Sequence, residues 1–253
     1  MPQQPGARLF RTDAGYLVER DGELRAVAGA IFERWSPGAR VESPLGSLRL
    51  LAPVVPGKIV AVALNYRAHA AEQGKPLPPE PLFFIKPSTA VVGPGDPIRL
   101  PAGVGRVDHE AEVGVVIGRR ATAVAPAAAA DYILGVTCVN DVTARALQKQ
   151  IGHYTRAKGF DTFAPVGPAI ATGLDWSNLR VRGRVNGQLR QDSTTADLIF
   201  AIPELVAFIS SVMTLLPGDI ISTGTPAGIG PLVAGDTVSV EVEGVGVLEN
   251  PVV

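Results

Sequence analysis

Val107-Asp108-His109-Glu110-Ala111-Glu112-Val113 sets two carboxylates two residues apart, at the head of an apolar run that continues to Ile117. The run over 112–117 is too short for a typical helix and rich in β-branched residues, so it reads as a strand. On a strand Glu110 and Glu112 project to the same face. Two carboxylates held side by side repel one another unless a cation lies between them. All-oxygen ligation of that kind suits Mg²⁺ or Mn²⁺ rather than zinc. The alternative is an edge strand whose polar face is merely solvated.

Further strands are read on both sides of this one, at 58–64 (KIVAVAL), 82–86, 132–139, 220–223, 237–242 and 245–248. Residues 179–185 and 188–192, joined by Asn186-Gly187, give the clearest hairpin signal. Helices are fewer. A short one is expected over 66–73, and one over 142–151 after the N-cap types Asn140-Asp141. A third lies within 196–215, with Pro203 near its start. The first fifty residues read as short strands with turns such as Asp21-Gly22. Prolines and glycines between Pro44 and Gly57 mark a boundary near residue 50. The chain holds 28 glycines and 22 prolines, a density that favours many short strands and tight turns. The expected fold is α+β with a β-rich core, in a small N-terminal domain (1–50) and a larger domain (51–253).

Composition narrows the function. A chain of 253 residues buries about three quarters of its unfolded surface and needs no staple to fold. With 46% hydrophobic and 19% charged residues, wholesale disorder is excluded. A net charge of −1 argues against nucleic acid, which demands a basic face. Cys138 is the single cysteine, so there is neither an internal disulfide nor a Cys-rich zinc cluster; it is expected to pack as a small hydrophobe. The start, Met1-Pro2-Gln3-Gln4-Pro5-Gly6, lacks the regions of a signal peptide. No apolar run reaches membrane-spanning length. A cytoplasmic protein, free of membrane, is the expectation. Phosphate-loop, dinucleotide and nucleophile-elbow motifs are absent. The histidines are His69, His109 and His153, and a zinc hydrolase would need them near one another.

Three more stretches could carry chemistry. Asp141 stands where a buried strand turns into a helix, and Arg145 and Gln148 follow at i+4 and i+7 on one helical face. That stripe could be a metal ligand with two groups for an anionic substrate, or a helix cap with an i,i+4 ion pair. Lys158-Gly159-Phe160-Asp161 sets a lysine beside a glycine, where it could approach a ligand or simply face solvent. Thr223-Gly224-Thr225-Pro226-Ala227-Gly228-Ile229-Gly230 could cradle a carboxylate with backbone amides, or be an ordinary tight connection.

The order of these pieces is itself specific. Asn65-Tyr66-x-x-His69-x-x-Glu72, Phe84-x-Lys86-Pro87, His109-Glu110-Ala111-Glu112, Asn140-Asp141-x-x-x-Arg145-x-x-Gln148, Lys158-Gly159-Phe160-Asp161 and Thr223-Gly224-Thr225-Pro226 follow in turn. The array resembles the fumarylacetoacetate hydrolase family, in particular its shorter bacterial members: 2-hydroxyhepta-2,4-diene-1,7-dioate isomerases, the related decarboxylases of homoprotocatechuate breakdown, and acylpyruvate hydrolases. The resemblance implies a mixed β-sandwich roll with a small N-terminal domain, a bound Mg²⁺ or Mn²⁺, and a homodimer. It implies Glu110, Glu112 and Asp141 as metal ligands, and His69 with Glu72 as a catalytic dyad on a mobile lid. Lys158, Gln148, Thr225 and Arg145 are implied at the substrate, Lys158 also in catalysis, with Phe84 and Lys86 as further substrate contacts. Ala68 and Ala146 depart from the pattern, since many relatives carry Asp there; Ala146 lies off the Asp141–Arg145–Gln148 stripe, whereas Ala68 lies beside the dyad.

The expected function is that of a divalent-metal-dependent enzyme in aromatic catabolism, acting on a 2-oxo or 2-hydroxy-dienoic acid, or a dicarboxylate, through a metal-stabilised enolate. The 2-hydroxyhepta-2,4-diene-1,7-dioate isomerase or decarboxylase type is the first reading. Acylpyruvate hydrolase and oxaloacetate decarboxylase are the alternatives within the class. Hydrolysis follows if His69 and Glu72 activate water, and isomerisation or decarboxylation if they only relay a proton. A non-catalytic, metal-stabilised carboxylate-binding protein is the alternative outside it.

Overall fold

The computed structural model describes residues 6–253; residues 1–5, where a leader was sought, lie outside the described residues. Four short strands open the chain: β1 (Arg8–Thr12), β2 (Gly15–Arg20), β3 (Glu23–Gly29) and β4 (Trp35–Arg40). β5 (Ile59–Ala63), helix α1 (Arg67–Glu72), β6 (Leu82–Lys86) and β7 (Val91–Val92) follow, then β8 (Val107–His109), β9 (Ala111–Ile117) and β10 (Ile133–Asn140). After β11 (Thr143–Ala144), α2 (Arg145–Ile151) and α3 (Tyr154–Lys158) come β12 (Ala164–Ala171), the hairpin β13 (Arg180–Val185) and β14 (Gln188–Thr194), and α4 (Ile202–Val212). The chain closes with β15 (Ile220–Ser222), β16 (Gly230–Leu232), β17 (Thr237–Val242) and β18 (Gly246–Pro251).

The main sheet has 11 strands in the order β4-β3-β2-β1-β12-β10-β9-β15-β5-β6, with β7 beside β12. It is mixed, since β15 runs parallel to β5 and β7 parallel to β12. A second sheet, β14-β13-β17-β18, and a small one, β11-β8-β16, complete the fold. The architecture is the β-rich α+β type read from the sequence. β1 hydrogen-bonds to β12, so the N-terminal strands extend the same sheet outward.

β9 lies between β10 and β15, which removes the edge-strand alternative. Every one of its residues is buried, so its apolar side chains feed cores on both faces. Val113, Val115 and Ile117 pack under Ile202, Leu205 and Ile209 of α4 and against Val181, Val240 and Leu248 of the second sheet. Val116 packs on the opposite face with Ile59, Val166 and Ile170. Cys138 is buried between the two large sheets, where its thiol donates to the Gly246 carbonyl across 3.5 Å and burial pushes its pKa up to about 12. It packs in the core as a small hydrophobe. Among the described residues, no helix is long and apolar enough to cross a membrane.

Asn186 and Gly187 both take positive φ, 52° and 75°, the two-residue turn that the sequence announces. Pro203 stands in the first turn of α4, as read. The helix expected over 142–151 starts later. Thr143 and Ala144 pair instead with Asp108 and Val107 of β8, and the helix begins at Arg145 without a side-chain cap. Tertiary pairing of a β-branched segment has overridden the cap signal.

Candidate active site

The register of β9 and β10 builds the site. Glu112 lies opposite Val139 and Ala111 opposite Asn140, so Glu110 and Asp141 come next to each other where the two strands diverge. Two further bonds fix that junction. Asn140 accepts the Glu110 amide at 3.0 Å through its side chain, and the Asp141 amide donates to the Glu110 carbonyl at 2.9 Å. Glu110, Glu112 and Asp141 thereby each offer a carboxylate oxygen, all within 4.8 Å of one another and all buried.

Three cations hold this cluster. Lys158, at the end of α3, donates to Glu110 Oε2 at 2.7 Å and to Asp141 Oδ2 at 2.6 Å. Lys86, with no exposed surface, pairs with Asp141 from behind. Arg145 pairs with Glu110, donates to Asp108 Oδ2 at 2.9 Å and also bonds the Gln148 side chain. The i,i+4 pair between Asp141 and Arg145 is therefore not formed, because Asp141 precedes the helix and turns to the two lysines. Glu110 is pushed up by burial, but Lys158 and Arg145 outweigh that and hold it at about 2. Burial lowers Lys158 as well, yet Asp141 and Glu110 leave its pKa raised. Lys86, more dominated by burial, falls below the usual lysine range.

Glu112 differs. Its partners are neutral donors, Ser222 Oγ at 2.6 Å and the Gly224 amide at 2.9 Å. Burial, with the charges of Asp141 and Glu110 beside it, pushes its pKa up to about 8. Positive charge is thus missing on the Glu112 side of the cluster. Three oxygen ligands with that deficit are a hard-cation donor set, and each carboxylate oxygen retains a second lone pair for an ion. The residues fit a divalent cation. They do not fit zinc ligation by histidine: His69 is on α1, His109 ends β8, and His153 is exposed ahead of α3.

His69 gives a defined tautomer. Its Nδ1 lies 2.8 Å from Glu72 Oε2 and its Nε2 lies 2.6 Å from the Gln73 amide nitrogen. The carboxylate accepts and the amide donates, so Nδ1 carries the proton and Nε2 presents the lone pair. Glu72 is held in turn by the Gly228 amide at 3.1 Å. The base of α1 is anchored by Asn65, which bridges Thr223 and Phe200 through backbone groups. Gly224 (φ +98°) allows that approach, since a Cβ there would lie 2.8 Å from the Asn65 Cβ.

His69, Glu110, Glu112 and Lys158 line one cavity of about 250 Å³, with Arg145, Gln148 and Thr225 also on its wall. Phe84 and Lys86, expected at the substrate, stand behind that wall. Phe84 stacks on Tyr154 and lies under the Lys158 ammonium; Lys86 is sealed against Asp141. The loop 223–230 does cradle carboxylates, but they are the protein's own: Gly224 serves Glu112 and Gly228 serves Glu72. The Thr225 hydroxyl donates to the Ala111 carbonyl and accepts from Gln191. Ala68 gives its amide to Asp197 at 3.2 Å, and Ala146 approaches the Gly105 turn.

Asp108, Gln191, Ser222 and Gln73 were missed by sequence reasoning. Gln191, fully buried, bonds the His109 ring, the Ala111 amide, Thr225 and the Pro226 carbonyl. Only Asp108 had a signal, its place beside the Glu110–Glu112 pair.

Residues 58–253 match the model described as fumarylacetoacetate (FAA) hydrolase C-terminal, and the chain belongs to the fumarylacetoacetate hydrolase family. A 5-carboxymethyl-2-hydroxymuconate delta-isomerase from Mycobacterium smegmatis is 47% identical, with a TM-score of 0.88 over 98% of both chains. A 2-hydroxyhepta-2,4-diene-1,7-dioate isomerase from Mycobacterium marinum is 45% identical, with a TM-score of 0.87 over 98% of both chains. Among sequences, a mitochondrial oxaloacetate tautomerase, fahd2, from Xenopus laevis is 41% identical over 220 residues, 82% of this chain and 69% of that one.

Proposed function

We propose that this chain is a divalent-cation-dependent isomerase that moves a proton between carbon and oxygen of a 2-oxo dicarboxylic acid, of the 2-hydroxyhepta-2,4-diene-1,7-dioate type. The observation that carries the reading is a single cavity with two chemistries. Glu110 and Glu112 of the hard-cation donor set line it, with Asp141 buried beside them, and His69, bonded to Glu72, lines it too. The names of the relatives, two isomerases and a tautomerase, support proton movement over C–C cleavage.

What a divalent cation supplies when held by Glu110, Glu112 and Asp141 is positive charge against the enolate form of a 2-oxo acid. The rest is done by side chains. Arg145, with Glu110, Asp108 and Gln148 fixing it, keeps further N–H groups for the substrate carboxylate. Lys158 puts a buried ammonium beside the oxygen that gains charge. His69 exchanges a proton at Nε2 while Glu72 holds Nδ1 and stabilises the imidazolium that forms. Gln73 occupies Nε2 at rest, so the substrate displaces its amide. In the dienoic acid, the C2 hydroxyl loses its proton and C5 gains one, which leaves an isomer and no by-product.

The test is a panel with added Mg²⁺ or Mn²⁺, comprising the hydroxyheptadienedioate, enol-oxaloacetate and an acylpyruvate, with products identified by NMR. Isomer formation in ²H₂O with deuterium at carbon is expected. Release of a shorter acid or of CO₂ as the main product would sink the isomerase reading and leave hydrolase or decarboxylase. Loss of turnover in neither EDTA nor His69→Ala would sink the site itself.

A further inference from the structure

We infer that Lys75 and Lys149 form a second anion subsite at the cavity mouth, one that reads the distal carboxylate of the substrate; this rests on the function proposed above. Four cationic side chains line the cavity: Arg145, Lys158, Lys75 and Lys149. The inner two are committed, Lys158 to Glu110 and Asp141, and Arg145 to Glu110 and Asp108. The outer two have no carboxylate partner among the described residues, whereas Lys58, Lys86 and Lys158 are all paired. The other three lysines are paired, and the two without a carboxylate partner among the described residues line the same cavity.

They arrive from separate elements. Lys75 follows the Gly74 turn (φ +61°) that ends α1, and its amide returns to the Ala70 carbonyl at 3.0 Å. Lys149 lies in the last turn of α2, where a cation suits the helix end. Gly152, beside it on the cavity wall, has nothing within 4 Å of where a Cβ would be, so the mouth stays open there. Two like charges at one opening repel one another, and an anion between them relieves that repulsion. The inner end of the cavity takes the 2-oxo acid group. A chain long enough to reach the mouth brings its second carboxylate between an ammonium of the α1 segment and one of α2. A substrate of that charge pattern would also hold the α1 segment, and with it His69, against the rest of the site.

The test compares two acids of equal length, 2-oxoadipate and 2-oxohexanoate, binding by calorimetry with Mg²⁺ present. The full chain and the Lys75→Ala/Lys149→Ala variant are titrated side by side. Wild type is expected to prefer the diacid at least tenfold, with the preference shrinking as ionic strength rises. The double variant should lose most of that preference, and Lys75→Arg/Lys149→Arg should restore part of it. Arg34→Ala/Arg120→Ala, which removes the same charge away from the cavity, should keep the wild-type ratio. Equal binding of the two acids by wild type, or an unchanged preference in the lysine double variant, overturns the subsite. Failure of the isomerase reading shows separately, as an intact diacid preference with no proton exchange at carbon.

Discussion

The two sides of the cavity are built on opposite terms. The inner wall rests on β9, β10 and β15, strands at the centre of the main sheet, and its carboxylates are buried, Glu110 and Asp141 bonded to cations and Glu112 to neutral donors. The α1 side is a six-residue helix with His69 and Ala70 buried, whose Glu72 is exposed and whose polar hold on the body is Asn65, the Tyr66 and Arg67 contacts with Leu198, one Asp197 contact and the Gly228 amide. A cation site needs ligands that do not move, and central strands supply them. Proton transfer needs a group that can approach and withdraw, and a short helix on a few polar tethers supplies that. Stability and chemistry should therefore separate between the two sides.

The largest expected effect tests the inner wall. Asp141→Ala leaves Lys86 and Lys158 without their shared carboxylate in a buried setting, and uncompensated buried charge costs about 3–5 kcal/mol. Urea unfolding should show that loss, together with abolished Mg²⁺ binding. His69→Ala on the α1 side should do the reverse. Turnover should fall by about 10²–10⁴, the usual worth of general acid–base catalysis, while the unfolding midpoint and Mg²⁺ affinity stay near wild type. If His69→Ala destabilises as much as Asp141→Ala, the division of labour is wrong.

How far the sequence disclosed this division depends on range. The Glu110–Glu112 pair, the Asn186-Gly187 turn and the apolar runs are local signals, and each fell where it was read. The roles of Lys86, Arg145 and Gln191 were not legible, because they depend on which strand end meets which. Lys86 lies at the C-terminal end of β6, yet its ammonium reaches Asp141 beyond β10. Gln191 sits in a strand whose one apolar residue, Leu189, faces solvent and whose pairing shifts between Gly183 and Arg184, so no alternation marks it as the inward residue. The α2 start failed for the same reason: Asn140 and Asp141 are good cap types, but their side chains were claimed by the Glu110 amide and the lysines.

A smaller effect sharpens the picture of the inner wall. Glu112, with a folded pKa of about 8, binds a proton near pH 7 that the unfolded chain does not. Folding stability without a divalent cation should therefore decline as pH rises from the ordinary glutamate range through about 8. Glu110 has the opposite sign in a lower window, since its carboxylate is held at about 2 and its contribution fades only as pH falls towards that value. A divalent cation should displace the Glu112 proton. Calorimetry of Mg²⁺ binding at pH 7 in buffers of different ionisation enthalpy should report close to one proton released per ion. Zero release would mean that Glu112 is already ionised, with its charge met by something other than the ion.

The smallest expected effect probes the hinge between the two sides. Tyr66 precedes α1, is fully buried, and pairs through its backbone with Leu198. Its ring packs in the core formed by Val62, Val113 and Leu205, and burial, with the charges of Glu112 and Asp197, raises its pKa so that the phenol stays neutral. The hydroxyl has no partner among the described residues. A buried polar group left unpaired costs free energy, and removing it while keeping the ring restores that cost at the expense of a small void. Tyr66→Phe should therefore match wild type or exceed it by up to about 1 kcal/mol in urea unfolding. A loss of more than about 1 kcal/mol would mean that the hydroxyl is bonded in solution, by a buried water or by a moved neighbour. The base of α1 would then belong energetically to the inner wall, and the motion assigned to the dyad would have to begin further along, after His69.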